Sequence, residues 1–157
     1  MGYKPTGDTN IEKLVDAALE QGQGVLRLGG GPKFGANWVP RSFCIPGRRL
    51  KLYDDDYTRM GGERGGIDER WFASTTPADN GPLTWDNEGM SFILYSEGKT
   101  VHRINLKEAI EVRGEKIIGK AQMEKYGRWM MYSKFFDNWG PLPPHIHQRD
   151  AHAKLTW

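Results

Sequence analysis

Beyond Arg48, most apolar residues of this chain come in short or alternating runs that clusters of Gly, Pro, Asn and Asp interrupt. The runs are 48–53, 71–74, 91–95, 100–104 and 129–136. Runs of this length with turn residues at both ends predict strands rather than helices. With 20 glycines among 157 residues, strands joined by tight turns are the economical solution. The expected fold class is therefore mostly β, a sandwich or barrel with a few short helices. An apolar fraction of 38% suffices for a core because six each of Trp, Tyr and Phe carry large buriable surfaces. The length fits one domain, read as an N-terminal helix and glycine-rich linker over 1–35 followed by the β-rich unit over 36–157.

Two segments depart from the strand pattern. Between Thr9 and Gln21, Ile11, Leu14, Val15, Ala18 and Leu19 recur at helical spacing; Asp8 to Asn10 offer N-caps and Gly22 a stop. A second helix is predicted from Asn105, whose side chain can cap the first turn while Glu108 stands where a capping box needs its acid. Leu106, Ala109 and Ile110 share a face, and Gly114 and Gly119 limit the segment to a short helix or two fragments.

Charge excludes several functions. Lys and Arg number 22 against 20 Asp and Glu, and the net +2 is spread without a block of like charges, so neither nucleic acid nor an anionic membrane surface is an expected partner. No apolar stretch reaches the roughly 18 residues a bilayer span requires. The start, MGYKPTGDTN, has no apolar signal-peptide region, and Cys44 is the single cysteine. A reducing, cytoplasmic location is the natural expectation.

Several suggestive motifs have plain readings. Leu28 to Gly35 is glycine-rich but lacks the Gly-Lys-Ser/Thr ending of a phosphate loop, so it reads as a turn. Asp54, Asp55 and Asp56 lack calcium-loop spacing and read as a solvated loop. His102 stands alone and receives no role, and the tryptophans are core residues. The C-terminal segment differs, since three of the four histidines fall between 145 and 152. In an extended segment His145 and His147 project from the same face, where both imidazoles reach one metal ion, with zinc first and other divalent transition metals also suited. Pro141, Pro143 and Pro144 stiffen the approach to that segment.

These residues carry a family resemblance. Trp129-Met-Met-Tyr-Ser-Lys-Phe-Phe-Asp137, then Pro141-Leu, then His145-Ile-His-Gln-Arg-Asp-Ala-His-Ala153 resembles the class I phosphomannose isomerases of the cupin superfamily. Upstream, Gly66-Ile-Asp-Glu-Arg-Trp-Phe-Ala-Ser74 is similar to that family's Gly-Glu-x-Trp-x-x-Ser segment, and residues 104–119 to the helix that leads to its metal strand. The likeness runs in order from about residue 40 to residue 155. It implies a cupin-like jelly-roll barrel that is incomplete at its C-terminus, because the downstream Glu, His and Arg of the family have no counterpart before Trp157. Exposed strand edges in such a fragment would favour a homo-oligomer.

The resemblance further implies a metal-dependent isomerase interconverting mannose 6-phosphate and fructose 6-phosphate. His147 falls at the first metal-binding histidine, His145 where many members have a ligating glutamine, and a generic cupin alignment makes His152 a third ligand. Lys134 is then the candidate catalytic residue facing the sugar or its phosphate, and Glu69 and Trp71 stand at the mouth of the substrate pocket. A noncatalytic cupin module that binds a metal or a sugar is the alternative.

Overall fold

A computed structural model describes residues 2–30, 38–41, 66–79, 84–136 and 151. Helix α1 (Ile11–Gln21) forms where the periodicity places it. Asn10 stands at its N-cap without a side-chain capping hydrogen bond, and just ahead of it Asp8 Oδ1 accepts the Asn10 N–H at 2.8 Å in an Asx turn. Strand β1 (Leu28–Gly29) follows, within the segment expected to be only a turn. Then come β2 (Trp38–Arg41), β3 (Gly66–Phe72), β4 (Phe92–Glu97), β5 (Thr100–Asn105), α2 (Leu106–Ile118), α3 (Lys120–Tyr126) and β6 (Ser133–Phe136).

The strands form two three-stranded antiparallel sheets, ordered β1-β4-β5 and β2-β3-β6. Chain just beyond β3 joins them: the Ser91 N–H donates to the Ser74 carbonyl at 2.8 Å, and Ser91 Oγ accepts the Ser74 N–H at 2.9 Å. Among the described residues the sheets do not close into a barrel, and helices and strands take comparable shares. The mixed content replaces the expected preponderance of strand, because β6 is shorter than its apolar run suggested and α3 adds a helix with no sequence forewarning.

The main core lies between the first sheet and the helices. Val15 and Ala18 of α1 meet Ile93 of β4, Ile104 of β5, and Leu106, Ala109 and Ile110 of α2. These are the i, i+3 and i, i+4 positions of two amphipathic helices, each burying one stripe. The N-terminal helix thus belongs to the same core as the strands that follow it.

Asn105 caps α2 as its sequence context predicts, its Oδ1 accepting the Lys107 N–H at 2.9 Å. Glu108 does not complete the capping box. Buried on the N-terminal side, it accepts the Thr6 N–H at 2.6 Å, the Thr6 hydroxyl at 2.5 Å and the Tyr3 hydroxyl at 3.3 Å, so a core carboxylate straps residues 3–6 onto the fold. Burial, with Glu108 and then Glu111 nearby, pushes the Tyr3 phenol up to about 12.

A surface clamp joins α1 to α2. Asp16 accepts from Lys116 Nζ at 2.8 Å and from Arg113 Nε at 3.1 Å, and Arg113 also reaches Glu12 at 3.0 Å. The hydrogen bonds from Lys116 and then Arg113 hold the Asp16 carboxyl below the ordinary aspartate range. A folded-state value depressed in this way stabilises above the unfolded value, and the contribution is lost as pH falls through the folded one. In urea denaturation the native chain is therefore expected to outlast Asp16→Asn at neutral pH, with the gap closing on acidification below the ordinary aspartate range. A gap independent of pH would show that the clamp contributes through packing alone.

Candidate functional site

Alternation along β3 sends Glu69 and Trp71 to one face and Arg70 and Phe72 to the other. The β3–β6 register sets Trp71 opposite Lys134 and Arg70 opposite Phe135. Lys134 therefore shares the face of Trp71, and Tyr132, two residues earlier, follows it onto that face. The opposite face carries Phe72 edge-on to Phe135 at 5.4 Å, with Phe135 63% exposed, so it looks outward.

The inward face is where three sequence-predicted residues meet. Glu69 is 2% exposed and Trp71 3%. Trp71 Nε1 donates to Glu69 Oε2 at 2.6 Å, and Lys134 Nζ lies 3.5 Å from the same oxygen. The Lys134 ammonium also stands 5.7 Å from the centre of the Trp71 ring, and Tyr132 stacks on that ring at 4.6 Å with planes 24° apart. A carboxylate this deeply buried is tolerated only when charge and hydrogen bonds compensate it, and β6 supplies the charge.

Tyr132 is the member that sequence reasoning missed. Its signal was the two-residue step to Lys134 inside the apolar run. Chain at 127–132 is not strand, yet it keeps β6's direction alongside the residues after β3: Trp129 Nε1 donates to the Ala73 carbonyl at 2.8 Å.

The second small cluster, Trp71 with Ala78, is closed by Gly89. Gly89 adopts φ +76°, and a Cβ there would stand 2.8 Å from Cε3 of Trp71. Gly89→Ala combines left-handed backbone strain with a clash against a fixed ring, and is expected to cost about 2–3 kcal/mol. Thermal unfolding followed by near-UV circular dichroism measures it; an unchanged midpoint would mean that the indole moves freely.

His145, His147 and His152 lie outside the described residues, as do Cys44 and the Asp54–Asp56 run. Among the described residues no group of three or more His, Cys, Asp or Glu is arranged to hold a metal ion. His102 contacts Glu97 at 3.2 Å and stacks on Tyr95 at 5.6 Å, an arrangement that serves the β4–β5 hairpin. No helix among the described residues is long and apolar enough to cross a membrane. Comparison with protein-family models, curated proteins and solved structures finds no match to this chain.

Proposed function

We propose that this chain is a cupin-like, metal-dependent sugar isomerase that interconverts mannose 6-phosphate and fructose 6-phosphate. The observation that carries the reading is the meeting of Glu69, Trp71 and Lys134. Two segments about 60 residues apart, each similar to a pocket segment of the class I phosphomannose isomerases, lie side by side as paired strands. The finer fold belongs to the proposal as well: two antiparallel sheets bridged at Ser74 and Ser91 are compatible with part of a jelly roll.

In this reading His145 and His147 hold a divalent ion, zinc first, with His152 as third ligand. Two neutral imidazoles are a donor set suited to that ion. When bound, the metal supplies Lewis-acid polarisation of sugar oxygens. The chain's own residues do the rest. In sequence β6 precedes the histidine segment, and in this reading the Lys134 ammonium contacts a sugar hydroxyl or phosphate oxygen. Glu69 orients that ammonium, and the buried Trp71, with Tyr132 stacked on it, presents an aromatic surface beside it.

A noncatalytic metal- or sugar-binding module is favoured by one specific feature. Lys134 and the Trp71 indole converge on a single oxygen of Glu69, a compensated arrangement that requires no turnover to explain it.

A coupled assay for fructose 6-phosphate formed from mannose 6-phosphate, run before and after chelation, separates the two. Activity abolished by EDTA and restored by zinc is the result expected of the isomerase. Stoichiometric metal without turnover favours the module, and no bound metal rejects the isomerase and a metal-binding module alike. His147→Ala is expected to lose stoichiometric metal; unchanged metal content in that variant would show the ligands to be misassigned.

A further inference from the structure

A cavity of about 500 Å³ opens where the chain after β3, the first turns of α2 and the link between α3 and β6 meet. Glu69, Trp71 and Lys134 are not among its lining residues, so it is distinct from the site described above. Its volume lies in the range of pockets that take small organic ligands.

The apolar wall is held in place. Ile110 belongs to the main core, and Trp129 is fixed through its indole N–H on Ala73 and through its carbonyl, which accepts the Thr75 hydroxyl at 3.1 Å. A ligand meeting this wall has no side chain to freeze first. The two cations of the cavity differ. Lys107 is engaged, with Nζ 2.6 Å from Glu111 Oε1 and 4.0 Å from the centre of the Tyr3 ring. Arg128 is exposed and makes no ion pair or hydrogen bond among the described residues. The Thr76 hydroxyl, also on the lining, has no hydrogen bond among the described residues either. An exposed arginine on the lining of a cavity of this size, beside a tryptophan and an isoleucine, is the complement of a carboxylate or phosphate attached to an apolar body.

We propose that this cavity is a second binding site, which takes a small organic anion with its charged head on Arg128 and its apolar body against Ile110 and Trp129. The site does not depend on the isomerase reading, since none of its residues belongs to that reaction.

The test follows the indole N–H resonance of Trp129 in the nitrogen-labelled protein, assigned by its loss in Trp129→Phe. The probes are phenyl phosphate and 3-phenylpropionate, which share an aromatic body and distinguish a phosphate head from a carboxylate one. At least one should shift the resonance saturably, with a Kd of about 1 mM or tighter. Arg128→Ala should weaken that binding about tenfold or more, whereas Arg103→Ala, an equal change of net charge on β5, should leave it unaltered. Failure of both probes to saturate, or equal losses in the two arginine variants, overturns the proposal. Inorganic phosphate binding as tightly as phenyl phosphate overturns the role of the apolar wall.

Discussion

Glu69→Ala is expected to destabilise the fold by about 3 kcal/mol and to remove any activity housed at the β3–β6 face. The side chain is almost wholly buried and accepts the Trp71 N–H at 2.6 Å, with the Lys134 ammonium 3.5 Å away. Truncation removes the oxygen that accepts the indole N–H and the negative charge beside the ammonium. The Lys134 side chain is 29% exposed, so water recovers part of its solvation and the cost stays below that of a fully enclosed pair. Glu69→Gln retains an acceptor for Trp71 and is expected to cost less than the alanine variant. Lys134→Met should also destabilise, because it leaves the carboxylate buried beside a neutral side chain. Replacing both, as Glu69→Leu with Lys134→Met, should recover much of either loss, since a buried pair exchanged for apolar groups of similar size is often near neutral. Urea denaturation of these four variants and of Glu69→Leu alone measures these differences. Strict additivity in the double variant would refute the coupling between the two strands.

Ile93→Ala is expected to cost about 3–4 kcal/mol. Ile93 is 0% exposed on the central strand of its sheet, paired with Leu28 on one side and Ile104 on the other. Its side chain belongs to the cluster that Val15 and Ala18 contribute from α1. Removing it deletes transfer free energy and leaves a cavity that two strands and a helix cannot collapse without breaking register. Small domains hold only about 5–15 kcal/mol in total, so the variant should show a much lower urea midpoint with a similar slope. Val101→Ala on β5, where the side chain is 48% exposed, is the control and should change stability by about 0.5 kcal/mol or less. Equal effects from the two would mean that this cluster is not the core.

What could be read in advance follows the range of each interaction. Helix α1 and the first turn of α2 were legible because their signals are local: apolar residues at helical spacing, and Asn105 capping the Lys107 N–H two residues away. The β4–β5 hairpin was legible for the same reason, with two apolar strands flanking Gly98 and Lys99. Helix α3 was not, since Lys120–Tyr126 buries no residue and lacks the stripe that marks an amphipathic helix. Strand β3 was expected to begin at Trp71, but it begins at Gly66. A glutamate at an inward position had broken the apolar alternation there. Glu69 and Trp71 were singled out through a resemblance; their contact with each other and with Lys134 was invisible until β3 and β6 were paired.

By itself the sequence determined the elements whose stabilising contacts lie within a few residues, together with a charge balance and apolar content that favour a packed domain. Only the tertiary structure decided the fate of Glu69. Burying a carboxylate is prohibitive for an isolated strand and becomes acceptable once a strand some 60 residues later brings an ammonium to it. That compensation depends on distance in space, which local pattern does not encode.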